Sequence, residues 1–547
     1  MKKINPHHSS EVAAWHPRTV GWQKSKTYIN CSLILIFILG LFLRLYHLSL
    51  NIPSLYADEV GNYNSWAVFN YAPTLYSKIY SLIFYFNWPF GLTPLSVRFP
   101  SAIYGSLLIL AIYFFTRQLT SSRITPLLAA LLTAVLPWSF LVSRLGHTHI
   151  PLILILVCLH LGLYLKAKTI KNYLLSLVPL LFAACLYLSI IPLFFFALSL
   201  VGLRVFLLAG KRQRLYLSFI VLLIALTVIT IFITYFDGLS LKSRGLDLAI
   251  WNDHNVTADH NLYRGIAPNK FIYNYPLSIG HVFVKNYLSF FSPDWLFLKG
   301  DPVLRHSTGQ VGYFFPTLIP FLIYGAYQFF ASRNKKHKYL FLVWILASPL
   351  PAALTKDGGG YLLRAITIMP FLTYFCALGL SKLKPLYLFA IAPVLLFSAY
   401  SFLYGYFYVY PTLSAPSFEY GFQQLSDFQQ DNNNTSMLVI WEGFYPNQYF
   451  RFWQQTPPGE YLNFTSSKIS INQSIFYQSF GNLFFAWPKN VTDLNEFITT
   501  HKPDYIAFPN DYLDKNPEYK ANLNPPQKII PYPNHTPAFT IYPLNNE

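Results

Sequence analysis

The sequence predicts a polytopic α-helical membrane protein with about 11 transmembrane helices and a small C-terminal α/β domain outside the membrane. Of its 547 residues, 54% are hydrophobic and only 11% are charged, whereas soluble globular chains carry roughly 25% charged residues. Apolar runs long enough to cross a bilayer, about 20 residues, recur as far as residue 405. Beyond Tyr410 the sequence becomes polar and rich in Asn and Pro.

Turn-forming or charged residues separate the candidate spans. The first run is too long and too far from the N-terminus for a cleaved signal peptide, and no small-residue cleavage site follows it, so we expect it to be retained. Only residues 189–192 divide the fifth run from the sixth, which leaves ten spans as the alternative count. The predicted spans are 28–48, 99–116, 124–142, 150–165, 173–189, 190–208, 215–235, 311–331, 339–355, 365–381 and 386–405.

The positions of basic residues predict the orientation. Cytoplasmic loops are enriched in Lys and Arg, and with eleven spans every dense basic cluster lies on the side of the N-terminal tail. With ten spans the cluster at 333–338 would lie outside, so eleven is preferred. The net charge of +18 is therefore interpreted as a topology signal and not as a sign of nucleic-acid binding.

This orientation divides the chain into three parts. We expect a cytoplasmic tail at 1–27, a membrane domain at 28–405 and an extracytoplasmic domain at 406–547. The membrane domain has long outer loops at 49–98 and 236–310. In the first outer loop, the aromatic stretches Val60–Tyr71 and Leu75–Phe90 suit helices at the membrane interface, either beside an active site or as anchors. The C-terminal part has strand-like runs at Met437–Trp441, Tyr505–Phe508 and Phe539–Tyr542, with amphipathic stretches between them.

Adjacent carboxylates stand ten residues after the first span. Asp58 and Glu59 lie in the first outer loop of a chain that has only 22 acidic residues. A carboxylate at the water–lipid boundary can take a proton from a hydroxyl nucleophile, which gains about 10²–10⁴-fold in rate. The alternative is a solvated pair or a helix N-cap.

Several basic residues are predicted on the outer side, against the general orientation rule. Arg98, Arg144, Arg305 and Arg364 each lie within a few residues of a span. Arginine binds phosphate with two parallel hydrogen bonds. Headgroup binding or snorkelling is the alternative for each of them.

Two outer segments contain turn-forming residues beside charged ones. Pro293, Gly300 and Pro302 predict a sharp fold that brings Asp301, Arg305 and His306 near the head of a helix, where an anion is favoured. Residues 358–360 are three glycines before Arg364, which permit close backbone approach or form a flexible loop.

The sequence shows no motif for nucleotide, cofactor or metal binding and no pattern typical of ion-coupled transport. It contains no Walker motif, dinucleotide fingerprint, HExxH motif or clear metal cluster, so we predict no cofactor and no metal. No predicted span has an Asp or Glu at its centre, whereas ion-coupled transporters usually need such groups.

Four features together resemble a known family. They are Arg44, Asp58-Glu59, Ser96-Val97-Arg98-Phe99-Pro100-Ser101 and Ser143-Arg144. They are similar to the membrane glycosyltransferases of the GT-C fold, and within it to the protein O-mannosyltransferase and aminoarabinose transferase superfamily. Residues 300–307, residues 351–364 and Pro370 resemble bacterial members of unassigned specificity. The resemblance covers residues 28–405 and is weak beyond 410.

The resemblance implies a polyprenyl-phosphate-linked sugar donor, an external active site and inversion at the anomeric carbon without a required metal. It implies that Asp58 acts as the base or positions the acceptor, with Glu59 as its neighbour. Several relatives carry an acid after the arginine that follows the third span. Here His147 and His149 follow Arg144, so we expect acceptor recognition to differ.

We therefore expect an inverting glycosyltransferase of the plasma membrane that acts on an acceptor hydroxyl of a protein, lipid or envelope glycan. Asp58 would take the proton, Arg364 would stabilise the departing lipid phosphate, and Arg305 and His306 are further candidates. A flippase for lipid-linked sugars and a noncatalytic envelope scaffold are the alternatives.

Overall fold

A computed structural model describes residues 17–52, 54–61, 93–208, 210, 248–266, 274–332, 335–443, 446–456, 467–479, 482–520 and 523–544. Most of the two stretches expected to be interfacial helices, from residue 62 to 90, lies outside the described residues, as does the predicted span 215–235. The membrane part consists of helices, and the C-terminal part contains a seven-stranded sheet.

Helices occupy each of the remaining predicted spans, and two further helices, His254–Ile266 and Tyr275–Ser289, lie in the loop predicted at 236–310. Their bounds are Pro17–Leu45, Pro94–Arg117, Ile124–Val135, Pro137–Val142, His149–Lys166, Ile170–Leu186, Ile191–Leu208, His254–Ile266, Tyr275–Ser289, Ile319–Ala331, Lys335–Ala347, Leu350–Ala353, Leu362–Ala365, Met369–Ser381 and Pro385–Tyr404.

Six helical segments of the described residues are long and apolar enough to cross a membrane. The count of eleven spans remains a prediction, because several of the other apolar helices are short and one predicted span is not described. The six segments are Tyr28–Leu45, Pro94–Arg117, His149–Lys166, Ile191–Leu208, Leu362–Ser381 and Pro385–Phe418.

Proline divides the predicted third span. The sequence predicts one continuous helix at 124–142, but the structure has two helices that meet at Leu136, whose ψ of 142° is extended. Proline disfavours the helical conformation in the residue before it, and Pro137 then starts the second helix. This break brings Ser143 and Arg144 onto the end of a short helix beside the first span.

Close helix packing in the membrane part depends on small residues. A Cβ atom at Gly325 would lie 1.9 Å from the carbonyl oxygen of Phe375, and one at Gly379 would lie 2.1 Å from that of Phe321. The helices Ile319–Ala331 and Met369–Ser381 therefore approach each other backbone to backbone, as is usual in membrane bundles.

The C-terminal sheet has the strand order β2-β3-β4-β1-β5-β7-β6. Its centre is parallel, because β1 pairs with β4 and with β5 in the same direction, and its remaining pairings are antiparallel. The predicted runs are β1, β5 and β7, whereas the sequence analysis did not identify the other four. The strands are β1 Met437–Ile440, β2 Ser467–Ile471, β3 Ser474–Gln478, β4 Leu483–Ala486, β5 Tyr505–Pro509, β6 Lys528–Pro531 and β7 Pro537–Pro543.

Helices cover both faces of this sheet. Met437 and Val439 of β1 pack with the helices Phe422–Asp431 and Pro446–Trp453. Leu438 and Ile440 point to the opposite face, as alternate strand residues do, and pack with the helices Val491–His501 and Asn510–Lys515.

The sheet domain packs directly on the described part of the loop that follows the first span. Leu55, Val60 and Val97 belong to the same buried apolar cluster as Phe422 and Tyr449 of the C-terminal domain. Because buried apolar area stabilises at about 25 cal/mol per Å², this shared cluster holds the segment around Asp58 against the C-terminal domain.

Candidate functional site

Asp58 lies in the first turn of a helix that begins at Ala57. The carbonyl oxygen of Tyr56 accepts from the backbone N–H groups of Glu59 and Val60, at 2.9 and 3.1 Å. Glu59 reaches back to the N–H of Tyr56, at 3.4 Å, as the acid of a capping box does. Glu59 therefore caps the helix, and the side chain of Asp58 remains 70% exposed.

Glu59 is fully buried and forms an ion pair with Arg98. Its two carboxylate oxygens accept from Nε and Nη2 of Arg98, each at 2.8 Å, and Oε1 also accepts from the N–H of Gly146 at 2.7 Å. A Cβ atom at Gly146 would lie 2.9 Å from Cγ of Glu59, so glycine is required for this approach. The carboxylate of Glu59 thus binds two segments of the protein together.

Arg98 and Arg144, both predicted to bind phosphate, are buried and already hydrogen-bonded. Arg98 donates to Glu59 and to the carbonyl oxygens of Ile52 and Ser54. Arg144 makes five hydrogen bonds, one from Nε, three that share the two N–H groups of Nη1, and one from Nη2. Its acceptors are the Tyr406 hydroxyl and the carbonyl oxygens of Leu43, Arg44, Tyr46 and His47.

These bonds give both arginines a structural role. Arg144 binds the C-terminal end of the helix Pro17–Leu45, where free carbonyl groups and the helix dipole favour a cation. Arg98 fixes the loop that precedes Asp58. Both guanidinium groups are buried and hold carbonyl oxygens of the protein, and their role as phosphate ligands stays a prediction.

His147 lies beside Asp58. Its Nε2 atom is 3.9 Å from Oδ2 of Asp58, is buried, and has no hydrogen-bond partner among the described residues. Burial, together with the nearby His149 and His306 rings, lowers the pKa of His147 well below its usual range. The ring is therefore neutral at pH 7 and supplies no positive charge beside Asp58.

Asp301 and His306 form a second, fully buried pair. Nδ1 of His306 lies 3.0 Å from Oδ2 of Asp301. Asp301 also accepts from the backbone N–H groups of Val303 and Leu362, at 2.8 and 2.9 Å. The aspartate thus orients the imidazole of His306, whose ring lies 6.1 Å from that of His147 and 4.9 Å from that of Tyr361.

Arg305 extends between the first outer loop and the C-terminal domain. Its guanidinium lies 5.1 Å from the centre of the Tyr56 ring, which is cation–π distance. Nη1 lies 3.5 Å both from the carbonyl oxygen of Ser417 and from Oε1 of Glu419. Both contacts are long, and the side chain of Arg305 remains 33% exposed.

Arg364 is paired with Asp357 at the end of the glycine-containing loop. Nη1 donates to Oδ1 of Asp357 at 2.6 Å and to the Thr355 hydroxyl at 2.7 Å, and Nη2 reaches Oδ2 at 3.3 Å. Burial acts to raise the pKa of Asp357, but the hydrogen bond and charge of Arg364 outweigh it and lower the pKa. The Asp357 carboxylate thus accepts two hydrogen bonds from the guanidinium, in the bidentate arrangement by which an arginine also binds a phosphate.

These groups gather around Asp58. The negative charge of Asp58 interacts electrostatically with five surrounding side chains, those of Tyr56, Tyr187, Tyr361, Glu419 and Tyr449. Among the described residues, the Tyr56 hydroxyl, Nε2 of His147 and Nε of Arg305 are buried without hydrogen-bond partners. Buried polar groups without partners are rare in native proteins. Their concentration beside one exposed carboxylate identifies this region as a candidate site for a polar ligand.

Sequence reasoning did not find several of these residues. For His147 the sequence did offer an indication, because several relatives of the resembled family carry an acid after the arginine that follows the third span, whereas His147 and His149 follow it here. Asp301 was noted beside its turn but was given no role. Nothing in the sequence links Glu419 or Tyr449 to Asp58, because only the docking of the C-terminal domain brings them together.

Comparisons with known proteins support the glycosyltransferase resemblance. A model of the family described as dolichyl-phosphate-mannose-protein mannosyltransferase matches residues 80–236, which is less than half of the chain. No curated protein matches the sequence. The family match confirms the predicted resemblance, and with the apolar helices it indicates a multi-pass integral membrane protein of glycosyltransferase type.

Solved structures with a similar arrangement come from the oligosaccharyltransferase of Archaeoglobus fulgidus. The complex with an inhibitory peptide and a dolichol-phosphate has 12% sequence identity and a TM-score of 0.45, over 88% of this chain and 69% of that one. The form tethered to an acceptor peptide has 12% identity and a TM-score of 0.47, over 94% and 74%. These scores are too low to support a conclusion about this chain.

Proposed function

We propose that this protein transfers a sugar from a polyprenyl-phosphate carrier to an acceptor hydroxyl on the outer face of the membrane, with inversion at the anomeric carbon. The observation that carries the proposal is the exposed Asp58 carboxylate, which lies near several buried polar atoms that have no hydrogen-bond partner among the described residues. The family match at residues 80–236 supports the type of reaction.

Asp58 acts as the general base. The acceptor hydroxyl gives its proton to the carboxylate while its oxygen attacks the anomeric carbon. The bond from that carbon to the phosphate oxygen breaks, and its electron pair leaves with the polyprenyl phosphate. A single displacement of this kind inverts the configuration. Because His147 is neutral, it does not reduce the capacity of Asp58 to accept the proton.

Arg364 stabilises the departing phosphate. Its guanidinium already holds a carboxylate with two donors, and a phosphate offers the same geometry with more negative charge. Its charge and that of Asp58 both interact with Tyr187 and Tyr361, which supports a shared site for the base and the phosphate ligand. Stabilisation of a developing charge is often the largest single contribution to catalysis.

The outer face follows from the basic clusters of the sequence, which favour a cytoplasmic N-terminus. Asp58 then lies on the outer side after one span. The C-terminal domain, which packs on the loop that carries Asp58, lies on the same side and covers the site. Residues 1–27, 28–405 and 406–547 are the corresponding tail, membrane domain and outer domain.

The test uses the purified protein in detergent, with radiolabelled polyprenyl-phosphate mannose as donor and cell-envelope membranes that lack the protein as acceptor. We expect label to move to the acceptor and free polyprenyl phosphate to accumulate in the absence of any ion gradient. A flippase would show activity only in sealed vesicles and would leave the donor chemically intact. A scaffold would leave the donor unchanged both in detergent and in sealed vesicles.

A further inference from the structure

Glu419 has a strained backbone conformation that packing from both sides maintains. Its φ of 44° and ψ of 47° are left-handed, which costs a residue with a Cβ atom roughly 1–2 kcal/mol. On one side, the ring of Phe418 contacts that of Tyr56, with centres 5.6 Å apart. On the other, the ring of Tyr420 lies 5.9 Å from that of Tyr532 in the C-terminal domain. A left-handed residue often ends a helix, as Glu419 ends the helix Ala415–Phe418, so the helix end and the packing together fix the direction of its carboxyl.

The contacts of the Glu419 carboxyl within the protein are too weak to explain why a buried acid stands at this position. The side chain is only 16% exposed, and its ion-pair contact with Nη1 of Arg305 is long, at 3.5 Å. Tyr449 faces the same carboxyl, and burial and the charge of Glu419 both raise the pKa of its hydroxyl. A buried polar group whose hydrogen-bond partners are distant costs free energy on folding. A ligand contact is the kind of role that retains it.

The position of Glu419 relative to Asp58 and Arg364 indicates which substrate it meets. The charges that act on Glu419 are those of Arg305, Asp58 and Glu59. Arg364 acts instead on Tyr187 and Tyr361. Glu419 thus belongs to the C-terminal side of the group around Asp58, where Arg305 links it to Tyr56, whereas Arg364 lies on the membrane-domain side, 4.4 Å from the centre of the Tyr361 ring.

We propose that Glu419 is a positioning residue for the acceptor: its carboxyl binds a hydroxyl-bearing acceptor as the acceptor approaches Asp58. This inference rests on the proposed function, in which the donor phosphate lies at Arg364 and the acceptor hydroxyl at Asp58. It gives the C-terminal domain a direct part in acceptor recognition.

The protonation of the carboxyl suits this role. Burial raises the pKa of Glu419 to about 8, although the charge of Arg305 opposes the shift. At neutral pH the group therefore retains its proton, so it donates one hydrogen bond and accepts another. A hydroxyl group can complete both of these bonds.

The experiment compares Glu419→Ala and Glu419→Gln with the wild-type protein, and Glu442→Ala serves as the control because Glu442 is an exposed acid of the same domain. With radiolabelled polyprenyl-phosphate mannose as donor and cell-envelope membranes as acceptor, sugar transferred to acceptor and sugar released to water are measured separately. Donor-site binding is measured as the shift in melting temperature that added polyprenyl phosphate produces.

We expect transfer to acceptor to fall by about tenfold in Glu419→Ala, which corresponds to one lost hydrogen bond, while a larger share of the sugar goes to water. Glu419→Gln should restore transfer to within about threefold, because an amide also donates and accepts. The melting shift should match that of the wild-type protein in all variants. A purely structural role would lower transfer and hydrolysis together.

Three results overturn the inference. They are an unchanged transfer-to-water ratio in Glu419→Ala, a loss of the polyprenyl-phosphate shift in that variant, and the same change in Glu442→Ala. If the wild-type protein transfers sugar neither to the acceptor nor to water, the proposed function fails and the role of Glu419 fails with it. Normal wild-type transfer with an unaffected Glu419→Ala variant overturns only the role of Glu419.

Discussion

Arg98 holds both carboxylate oxygens of Glu59 at 2.8 Å, in a pair that is fully buried. Adjacent acids in the sequence thus have opposite environments, since the side chain of Asp58 is 70% exposed. The buried acid fixes the start of the helix and the loop at Gly146. The exposed acid is thereby presented to the site on a rigid support.

The first prediction is that Glu59→Gln lowers the stability of the folded protein. Removal of one partner from a buried ion pair costs about 3–5 kcal/mol, because the other charge remains buried without compensation. We expect a clearly lower melting temperature and a lower yield of folded protein in detergent. The activity that remains should fall in proportion to the folded fraction. Normal melting with lost turnover would instead give Glu59 a direct part in the chemistry.

The second prediction concerns the Arg364–Asp357 pair, and the two partners should respond in opposite directions. Arg364→Lys retains the charge but not the planar fork, so we expect at least about a tenfold weaker binding of polyprenyl phosphate, and a greater loss in Arg364→Ala. Asp357→Asn removes the carboxylate that competes for Arg364 and should tighten binding. Equal affinities in all three variants would leave Arg364 as a headgroup anchor.

Composition and span length were sufficient to predict the helical membrane part and the sheet-containing end of the chain. They could not show which charged residues face a ligand. Arg98, Arg144 and Arg364 have similar positions relative to predicted spans, yet the first two are buried against backbone carbonyls of distant segments. Only tertiary contacts separate these cases, because proximity to a span does not determine the direction of a side chain.

The identification of Asp58 from the sequence depended on local features, whereas the rest of the site depends on long-range packing. An acidic pair after the first span is visible in any reading of the chain. The contact of Arg305 with Ser417 and Glu419 joins segments more than one hundred residues apart. Strands β2, β3, β4 and β6 were also missed, and β2 and β3 have a mostly polar or mixed composition.

The third prediction concerns topology. A reporter fused after Lys336 should be cytoplasmic, and one fused after Glu547 should be external, because the basic cluster at 333–338 favours the inner side. Reporters that require either an oxidising or a cytoplasmic environment measure this in intact cells. If both fusions report the same side, the span count is wrong, and the side assigned to Asp58 must be reconsidered.

The fourth prediction is a pH dependence that belongs to Glu419. Arg305, Tyr449, Asp58 and Glu59 surround this carboxyl, and burial raises its pKa to about 8. Below this value the group is neutral and can donate to the acceptor, and above it the proton is lost. The ratio of wild-type transfer to that of Glu419→Gln should therefore fall as the pH rises through about 8, since the amide does not titrate. A ratio independent of pH between 6 and about 9 would contradict this assignment.

The fifth prediction concerns Asp58. Its carboxylate is not needed to cap the helix, because Glu59 accepts the hydrogen bond from the backbone N–H of Tyr56. Asp58→Asn keeps the shape of the side chain but removes its charge and most of its basicity. Transfer should fall by at least about 10²-fold, the low end of general-base catalysis, while polyprenyl phosphate still raises the melting temperature, because its phosphate is assigned to Arg364. Asp294→Asn is the matched control, since Asp294 is an outer-loop acid that is 60% exposed and pairs only with Lys299 among the described residues. Turnover of purified Asp58→Asn within about threefold of the wild-type protein would exclude the catalytic role, because loss of a general base costs far more.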